Sequence, residues 1–226
     1  LKALREVELK TAYLRRQRRK YLAKLRGDAG DELAALMANK AENLVNGTPM
    51  AVVVFSNRVA TARRAYQVLR AKYGEAAVLL TGRMRSIDKD DVIRKQLDIL
   101  SAEYSKERCL PGPLFVVATQ TLEVGANLDF DVLVTECASL DALRQRFGRL
   151  NRMGRPIKAK AAVFVRADQA AASDDDPIYG AALAETWKWL NRQAGKKEVI
   201  DMGILALAEE LPGGDELKKL NAPSPH

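Results

Sequence analysis

The sequence predicts an α/β domain in which helices sandwich a parallel β-sheet, with helical extensions at both ends. Five short apolar runs, several of them rich in β-branched residues, end at polar or glycine positions, as strands buried on both faces do. Stretches with apolar residues at helical spacing separate these runs, and this alternation is typical of a parallel sheet. The chain has 226 residues, of which 47% are hydrophobic, so it can hold one packed domain and its extensions.

The apolar pattern predicts where the elements lie along the chain. The predicted strands are 51–55, 77–80, 114–118, 132–135 and 161–165. The predicted helices are 31–45, one after Arg58, one that begins at Ser86 or Asp88, and one that begins near Ser139. These elements predict a helical linker or extension at 1–47, a central domain at 48–170, and a C-terminal helical extension with a tail at 171–226.

The N-terminal stretch 1–27 is helical in pattern and contains a dense basic run. The run comprises Arg15, Arg16, Arg18, Arg19 and Lys20. It is either a surface that follows the phosphates of a nucleic-acid strand or the solvated face of a linker helix. The sequence alone leaves both interpretations open.

The C-terminal extension contains both tryptophans of the chain. Helical spacing places Trp187 on one face with Leu183 and Leu190, so we expect Trp187 to be buried. Trp189 falls outside that face, and we expect it to point towards another domain.

Charge and cysteine content limit the compartment and the partners. The formal net charge is +8 and the pI is near 9.5, which favours a polyanionic partner. The two cysteines, Cys109 and Cys137, form neither a disulfide framework nor a zinc spacing, which is typical of the reducing cytoplasm. No apolar run reaches the length of a membrane span, so we expect no membrane partner.

Several catalytic motifs are missing from the sequence. It contains no G-x-x-x-x-G-K-[ST] phosphate loop and no D-E-x-D or D-E-x-H strand end that would hold magnesium. The only histidine is His226, so a metal-dependent nuclease that needs several imidazole ligands is not in this chain. Because the chain also begins at Leu1 rather than methionine, we expect a fragment that binds nucleotide poorly and does not hydrolyse it alone.

The helix that begins near Ser139 combines an apolar face with a cationic one. The apolar face is predicted to carry Leu140, Leu143, Phe147 and Leu150. The opposite face is predicted to present Gln145, Arg149 and Arg152 from one rigid element. Guanidinium groups bind phosphate oxygens bidentately and stabilise charge on a transferring γ-phosphoryl group. The alternative is an ordinary solvated basic helix face.

Two dense motifs resemble those of superfamily 2 helicases. The segment QRFGRLNRMGR, residues 145–155, resembles motif VI, and ATQTLEVGANLDFD, residues 118–131, resembles motif V. The residue patterns of these two segments are most similar to those of the CRISPR-associated helicase (helicase–nuclease) of type I systems. Branch-migration helicases and type I restriction motors are more distant matches. With weaker matches upstream, the resemblance covers roughly 48–166.

The resemblance implies the second RecA-like domain of such a motor, with ATP in a cleft beside a first domain. It implies catalytic roles for Arg149, Arg152 and Gln145, and ATP contacts from the two arginines together with Gly125 and Asn127. Asn127 stands where many relatives have an aspartate that meets the ribose, and an amide accepts a hydrogen bond without the charge. ATP and Mg²⁺ would be held mainly by the first RecA-like domain, which is absent.

Polar residues at predicted strand ends are the candidates for binding nucleic acid. They are Ser56, Asn57, Arg58, Thr81, Arg83, Arg85, Thr119 and Gln120. Ligands of open α/β sheets bind at the carboxyl ends of the strands. Two other interpretations stay open at this stage: helix capping by Ser56 or Asn57, and a plain surface turn with two solvated arginines at 83 and 85.

The predicted function is the C-terminal motor domain of an ATP-dependent helicase or translocase that acts on single-stranded DNA in CRISPR interference. The resemblance implies four partners: single-stranded DNA, the first RecA-like domain, a nuclease domain, and a CRISPR RNA-guided surveillance complex. One alternative is a non-catalytic adaptor or nucleic-acid-binding domain that kept a RecA-like shape. Another is the motor half of a different DNA helicase.

Overall fold

A seven-stranded sheet forms the centre of the molecule. The computed structural model describes residues 10–16, 28–82, 84–104, 108–123, 127–170 and 176–222. The strands of the described residues are β1 (Lys10–Arg16), β2 (Ala51–Phe55), β3 (Ala77–Leu80), β4 (Leu114–Ala118), β5 (Val132–Glu136), β6 (Ala159–Val165) and β7 (Val199–Asp201). Their order is β3-β4-β2-β5-β6-β1-β7, and only β7, on the edge, runs antiparallel to its neighbour.

Helices cover both faces of the sheet. The helices of the described residues are α1 (Asp28–Val45), α2 (Val59–Tyr73), α3 (Ser86–Gln96), α4 (Leu140–Phe147), α5 (Ala167–Ala170), α6 (Ala182–Ala194), α7 (Ile204–Glu210) and α8 (Gly214–Leu220). Apolar residues of α1 and α2 pack on one face, and those of α4 and α6 pack on the other. None of the helices in the described ranges is long and apolar enough to cross a membrane.

The predicted parallel sheet between two layers of helices is confirmed. The five strands expected from the apolar runs all form, and three of them have the predicted bounds. Val53, Val116 and Leu133 contact one layer of helices, while their neighbours Val52 and Val134 contact the other. Strands that are buried on both faces have no polar side, which is why they appear in the sequence as continuous apolar runs.

Strand register brings four strand ends to one edge of the sheet. Phe55 at the end of β2 pairs with Ala118 of β4 and Thr135 of β5, and Leu80 of β3 also pairs with Ala118. The residues that follow these strands therefore emerge side by side at the carboxyl edge. This arrangement places the polar segments that follow β2, β3 and β4 next to one another.

The prediction of a helix at the N-terminus is wrong for residues 10–16, which form β1. This strand pairs in parallel with β6, from Lys10 opposite Ala159 to Arg16 opposite Val165, and with β7 on its other side. Threonine and tyrosine in this stretch favour strands, and the exposed edge of β6 supplies backbone partners that local helical spacing cannot reveal. The remainder of the basic run lies outside the described residues. The boundaries at 47 and 170 stay a prediction, although β1 and β7 join the central sheet from beyond them.

The prediction that Trp189 faces away from this domain is also wrong. Trp189 is 1% exposed and belongs to the same apolar core as Trp187, whose burial was predicted correctly. The C-terminal residues explain this, because α8 packs against α6 and the Thr186 hydroxyl donates to the Leu220 carbonyl at 3.1 Å. Both tryptophans are therefore buried, and the exposed residues of α6 are confined to Asn191, Arg192 and Gln193.

We expect Trp189→Ala to lower the free energy of unfolding by about 3–5 kcal/mol, since it leaves a large cavity in a close-packed core. Chemical denaturation of the 226-residue chain measures this. Ile204→Ala is the matched control, because Ile204 is 65% exposed and should cost well under about 1 kcal/mol. Equal effects of the two substitutions would contradict the burial of Trp189.

Candidate nucleotide and nucleic-acid site

The prediction that one rigid helix carries Gln145, Arg149 and Arg152 is wrong, because α4 ends at Phe147. Gln145 is an exposed residue of α4, whereas the two arginines lie in the turns that follow Gly148. A tertiary contact ends the helix: the Phe130 N–H donates to the Arg149 carbonyl at 2.9 Å. Leu150 then bridges to Phe130 and is buried, as its apolar spacing predicted.

The Arg149 side chain is anchored to the motif V segment (residues 118–131). One of its terminal nitrogens donates to the Glu123 carbonyl at 3.0 Å, and the residue is largely buried. Burial, and then the nearby charge of Arg152, lower the pKa of Arg149 below its usual value. Two guanidinium groups whose charges disfavour each other would both gain from a phosphate between them.

A buried acidic pair fixes the turn that carries Arg152. The Arg152 N–H donates to Asp129 Oδ1 at 2.6 Å, and Arg155 Nε donates to Asp129 Oδ2 at 2.8 Å. Asp131 accepts from Arg155 at 2.5 Å and from Arg108 at 2.6 Å. These carboxylates therefore accept from arginines and from main chain, and they fix the backbone of Arg152, whose side chain is exposed.

Arg146 is a central residue of the site that the sequence analysis did not select. It is fully buried, and its guanidinium lies over the Phe55 ring at 5.3 Å. The guanidinium donates to Glu123 Oε1 (2.8 Å), Thr135 Oγ1 (2.8 Å), the Glu136 carbonyl (3.0 Å), Asn57 Oδ1 (3.0 Å) and the Tyr179 hydroxyl (2.8 Å). One signal was available: Arg146 stands three residues after Leu143, beside the apolar face of α4.

The polar residues predicted to bind nucleic acid are brought together at the carboxyl edge, but most of their side chains face inward. Ser56, Thr81 and Thr119 are buried. Asn57 Nδ2 donates to the Cys137 carbonyl at 2.8 Å, and Gln120 Nε2 donates to the Asn57 carbonyl at 3.2 Å. The capping interpretation is wrong, because Arg58 is the N-cap of α2 and no side chain bonds to that cap.

The exposed arginines of this edge are already paired with carboxylates. Arg58 lies 3.8 Å from Asp176 Oδ2, and Arg85 donates to both carboxylate oxygens of Asp88 at 2.7 and 2.9 Å. An exposed pair such as Arg85 with Asp88 contributes little to stability, so a phosphate can compete for Arg85, whereas Arg58 faces the buried carboxylate of Asp176. Arg83 lies outside the described residues.

The nucleotide contacts predicted within the motif V segment are Asn127, which the structure describes, and Gly125, which it does not. Asn127 is exposed, and its carbonyl accepts from the Ala102 N–H at 2.8 Å, so its main chain is anchored while its side chain faces solvent. Gly125 lies outside the described residues. Glu123 organises this loop, because its carboxylate accepts from Arg146 and its carbonyl accepts from Arg149.

A buried carboxyl group lies beside the carboxyl edge. Glu136 ends β5, and burial raises its pKa to about 7 despite the opposing charge of Arg146. Its Oε1 atom finds no hydrogen-bond partner in the described part of the chain. Burial likewise raises the pKa of the adjacent Cys137 thiol to about 12, so this cysteine is not a nucleophile.

The fold and the two motifs of this site are similar to those of the second RecA-like domain of superfamily 2 helicases. Residues 48–155 match the family model described as "CRISPR-associated nuclease/helicase Cas3, C-terminal". The resemblance to the CRISPR-associated helicase that the two motifs predicted is thereby confirmed for this segment.

Individual relatives agree with the family model. The chain is 38% identical over 128 residues to "CRISPR-associated helicase Cas3" of Thermoproteus tenax, a match that covers 55% of this chain and 20% of that protein. It is 42% identical over 74 residues to "CRISPR-associated nuclease/helicase Cas3" of Streptococcus thermophilus, covering 32% of this chain and 8% of that protein. The chain thus spans only a small part of the length of these relatives.

Solved structures share the fold. The crystal structure of T. fusca Cas3 with ATP superposes with a TM-score of 0.66 at 19% identity, covering 92% of this chain and 24% of that one. A chain of a CRISPR RNA-guided surveillance complex in its pre-nicking state superposes with a TM-score of 0.58 at 20% identity, covering 96% of this chain and 29% of that one. At these identities the likeness shows the architecture.

The buried Glu136 carboxyl predicts a pH dependence of stability. Between its ordinary pKa of 4.5 and the raised value of about 7, the folded protein keeps a proton that the unfolded chain has released. This contribution to stability therefore falls as pH rises through that window, by up to about 3 kcal/mol. We expect Glu136→Gln to remove it.

Chemical denaturation at pH 5 and pH 8 measures this effect. The wild-type chain should lose more stability over this interval than Glu136→Gln, by up to about 3 kcal/mol. Glu103→Gln, a substitution at an exposed position, should behave as the wild type does. If the wild type and Glu136→Gln respond equally to pH, the carboxyl group is not held neutral by burial.

Proposed function

We propose that this chain is the C-terminal motor domain of an ATP-dependent helicase or translocase that acts on single-stranded DNA in CRISPR interference. The observation that carries the proposal is that both arginines are tied to the motif V segment: Arg149 through its guanidinium to the Glu123 carbonyl, and Arg152 through its main-chain N–H to the Asp129 carboxylate. Guanidinium groups stabilise the charge that develops on a transferring phosphoryl group when the protein holds them beside it. The match of this segment to the Cas3 family model supports the same reaction.

The nucleotide would lie between this domain and a first RecA-like domain. Arg149 and Arg152 would reach the phosphates, Gln145 would order the surroundings of the attacking water, and Asn127 would accept from the ribose. Gly125 would let the backbone approach the nucleotide closely. The first domain would hold Mg²⁺ and most of the ATP, since its phosphate loop and acidic strand end are not encoded in these 226 residues.

Single-stranded DNA would cross the carboxyl edge of the sheet. Arg58, Arg83 and Arg85 would contact its phosphates through their side chains. The buried side chains of Ser56, Asn57, Thr81 and Thr119, and the half-buried side chain of Gln120, would shape the loops, so that main-chain N–H groups as well as arginines face the strand. Hydrolysis would open the cleft and shift this edge along the DNA.

The names of the similar proteins support partners beyond this chain. A nuclease domain and a CRISPR RNA-guided surveillance complex fit the names of the similar proteins, which include a nuclease/helicase and a chain of such a complex. We place the protein in the cytoplasm, where its free cysteines, Cys109 and Cys137, would remain reduced.

A non-catalytic adaptor is the second candidate, and Asn127 favours it. The position lacks the carboxylate that many helicases use at the ribose, and the side chain is exposed. An adaptor would bind DNA without nucleotide turnover even when joined to a first RecA-like domain. Turnover therefore separates the two candidates.

We expect the isolated chain to show no DNA-stimulated ATP hydrolysis and a longer protein that includes the first RecA-like domain to show it. In that protein Arg152→Ala should lower turnover by about 100-fold or more, since one finger arginine contributes roughly 3 kcal/mol of transition-state stabilisation. Steady-state ATP hydrolysis measures both.

Arg144→Ala is the control for this substitution, because Arg144 is an exposed residue of α4 just before the anchored arginines. It should keep turnover within about twofold of the wild type. Robust hydrolysis by the isolated chain, or full activity of Arg152→Ala, would contradict the proposed division of the ATPase site.

We expect single-stranded DNA binding to weaken steeply with salt, since the proposed contacts are to phosphates. Replacing Arg83 and Arg85 together by alanine should reduce the slope of log affinity against log salt by up to about two. Fluorescence anisotropy with a labelled oligonucleotide measures the slope. Arg94→Ala is the matched control, since Arg94 is an exposed arginine of α3 paired with Asp91. A slope that the double substitution leaves unchanged would remove both arginines from the DNA contact.

A further inference from the structure

Tyr179 brings the C-terminal extension into contact with the helicase motifs. It lies outside the family-matched segment and is buried. Its hydroxyl oxygen accepts from a terminal nitrogen of Arg146 at 2.8 Å and from Gln120 Nε2 at 3.3 Å. One atom of the extension therefore touches both the motif V and the motif VI segments (118–131 and 145–155).

A tight turn holds Tyr179 in place. Asp176 Oδ1 accepts from the N–H groups of Ile178 at 2.9 Å and of Tyr179 at 3.1 Å. Asp176 Oδ2 accepts from Gln169 Nε2 at 3.0 Å, and the turn closes where the Gly180 N–H donates to the Asp176 carbonyl at 2.7 Å. The backbone at Gly180 has a φ of 54°, which a residue with a side chain rarely adopts. The hydroxyl is therefore presented from a rigid support.

The hydroxyl completes the hydrogen bonding of a buried cation. A guanidinium has five N–H groups. In Arg146 the Nε–H donates to Glu123, one terminal nitrogen donates to Thr135 and to the Glu136 carbonyl, and the other donates to Asn57 and to Tyr179. Each N–H group thus has one acceptor, and loss of the hydroxyl would leave a buried charged donor unsatisfied.

Arg146 connects the edge proposed to carry DNA with the segment that holds Arg149. On one side it holds Asn57, which follows β2 at the edge proposed to carry DNA. On the other side it holds the carboxylate of Glu123, whose carbonyl accepts from Arg149. A shift of the DNA edge that moves Asn57 therefore reaches Arg149 through three hydrogen bonds, and one that moves Gln120 reaches it through four, the first of them to Tyr179.

We propose that Tyr179 is a positioning residue that fixes Arg146 and Gln120, so that DNA bound at the carboxyl edge is sensed at Arg149. This inference rests on the proposed function and deepens it, since it assigns the coupling between DNA and ATP turnover. Tyr179 itself touches neither ligand. The C-terminal extension then contributes, through Tyr179, to the coupling between DNA binding and ATP turnover.

The test uses a protein that joins this chain to the first RecA-like domain and compares ATP turnover with and without single-stranded DNA. Tyr179→Phe keeps the ring and removes only the hydroxyl. We expect the ratio of stimulated to unstimulated turnover to fall about tenfold, the factor that one lost hydrogen bond of ordinary strength produces. Arg146→Lys, which keeps the charge but offers three donors instead of five, should lower the ratio further.

Tyr66→Phe is the control, because Tyr66 lies on α2 against the opposite face of the sheet. It should leave the ratio unchanged. A purely structural role of Tyr179 would lower the melting temperature of Tyr179→Phe while the ratio stayed at the wild-type value, and that result would overturn the inference alone. A wild-type protein without DNA-stimulated turnover would overturn the proposed function as well.

Discussion

The complete hydrogen bonding of the buried Arg146 guanidinium is the constraint on which the rest of the site depends. Moving a charged group from water into a protein interior costs roughly several kcal/mol unless hydrogen-bond acceptors in the protein replace the lost water molecules. Here the acceptors come from the ends of β2 and β5, the motif V segment and the C-terminal extension. These elements must therefore meet at one point, and the carboxyl edge of the sheet is held together by that requirement.

A second buried network sets the position of the catalytic candidates. Asp129 and Asp131 precede β5 and accept from Arg155, Arg108 and the main chain of Arg152. Asp131 also accepts from the Ala51 N–H at 2.7 Å, which ties the network to the start of β2. The turn after α4 is thus fixed by carboxylates from the segment that precedes β5. The backbone of Arg152 is therefore held without a helix, and its side chain is exposed.

The sequence predicted those parts of the structure that depend on local pattern. Strands buried on both faces appear in the sequence as apolar runs. The motif V and motif VI segments indicated the RecA-like fold and the candidate site arginines, Arg149 and Arg152. It missed features that depend on tertiary contacts: the end of α4, set by Phe130; the strand β1, set by the edge of β6; and the burial of Trp189, set by α8. Arg146 was overlooked because its spacing places it beside the apolar face of α4 but does not show which acceptors surround its guanidinium.

The central claim is that Arg149 and Arg152 complete an ATPase site whose other half lies in a first RecA-like domain. The most direct measurement is an experimental structure of the two domains together, bound to single-stranded DNA and a non-hydrolysable ATP analogue. We predict guanidinium nitrogens of both arginines within hydrogen-bond distance of the γ-phosphate oxygens, at about 2.7–2.9 Å. A closed cleft in which both arginines point away from the phosphates would contradict the account.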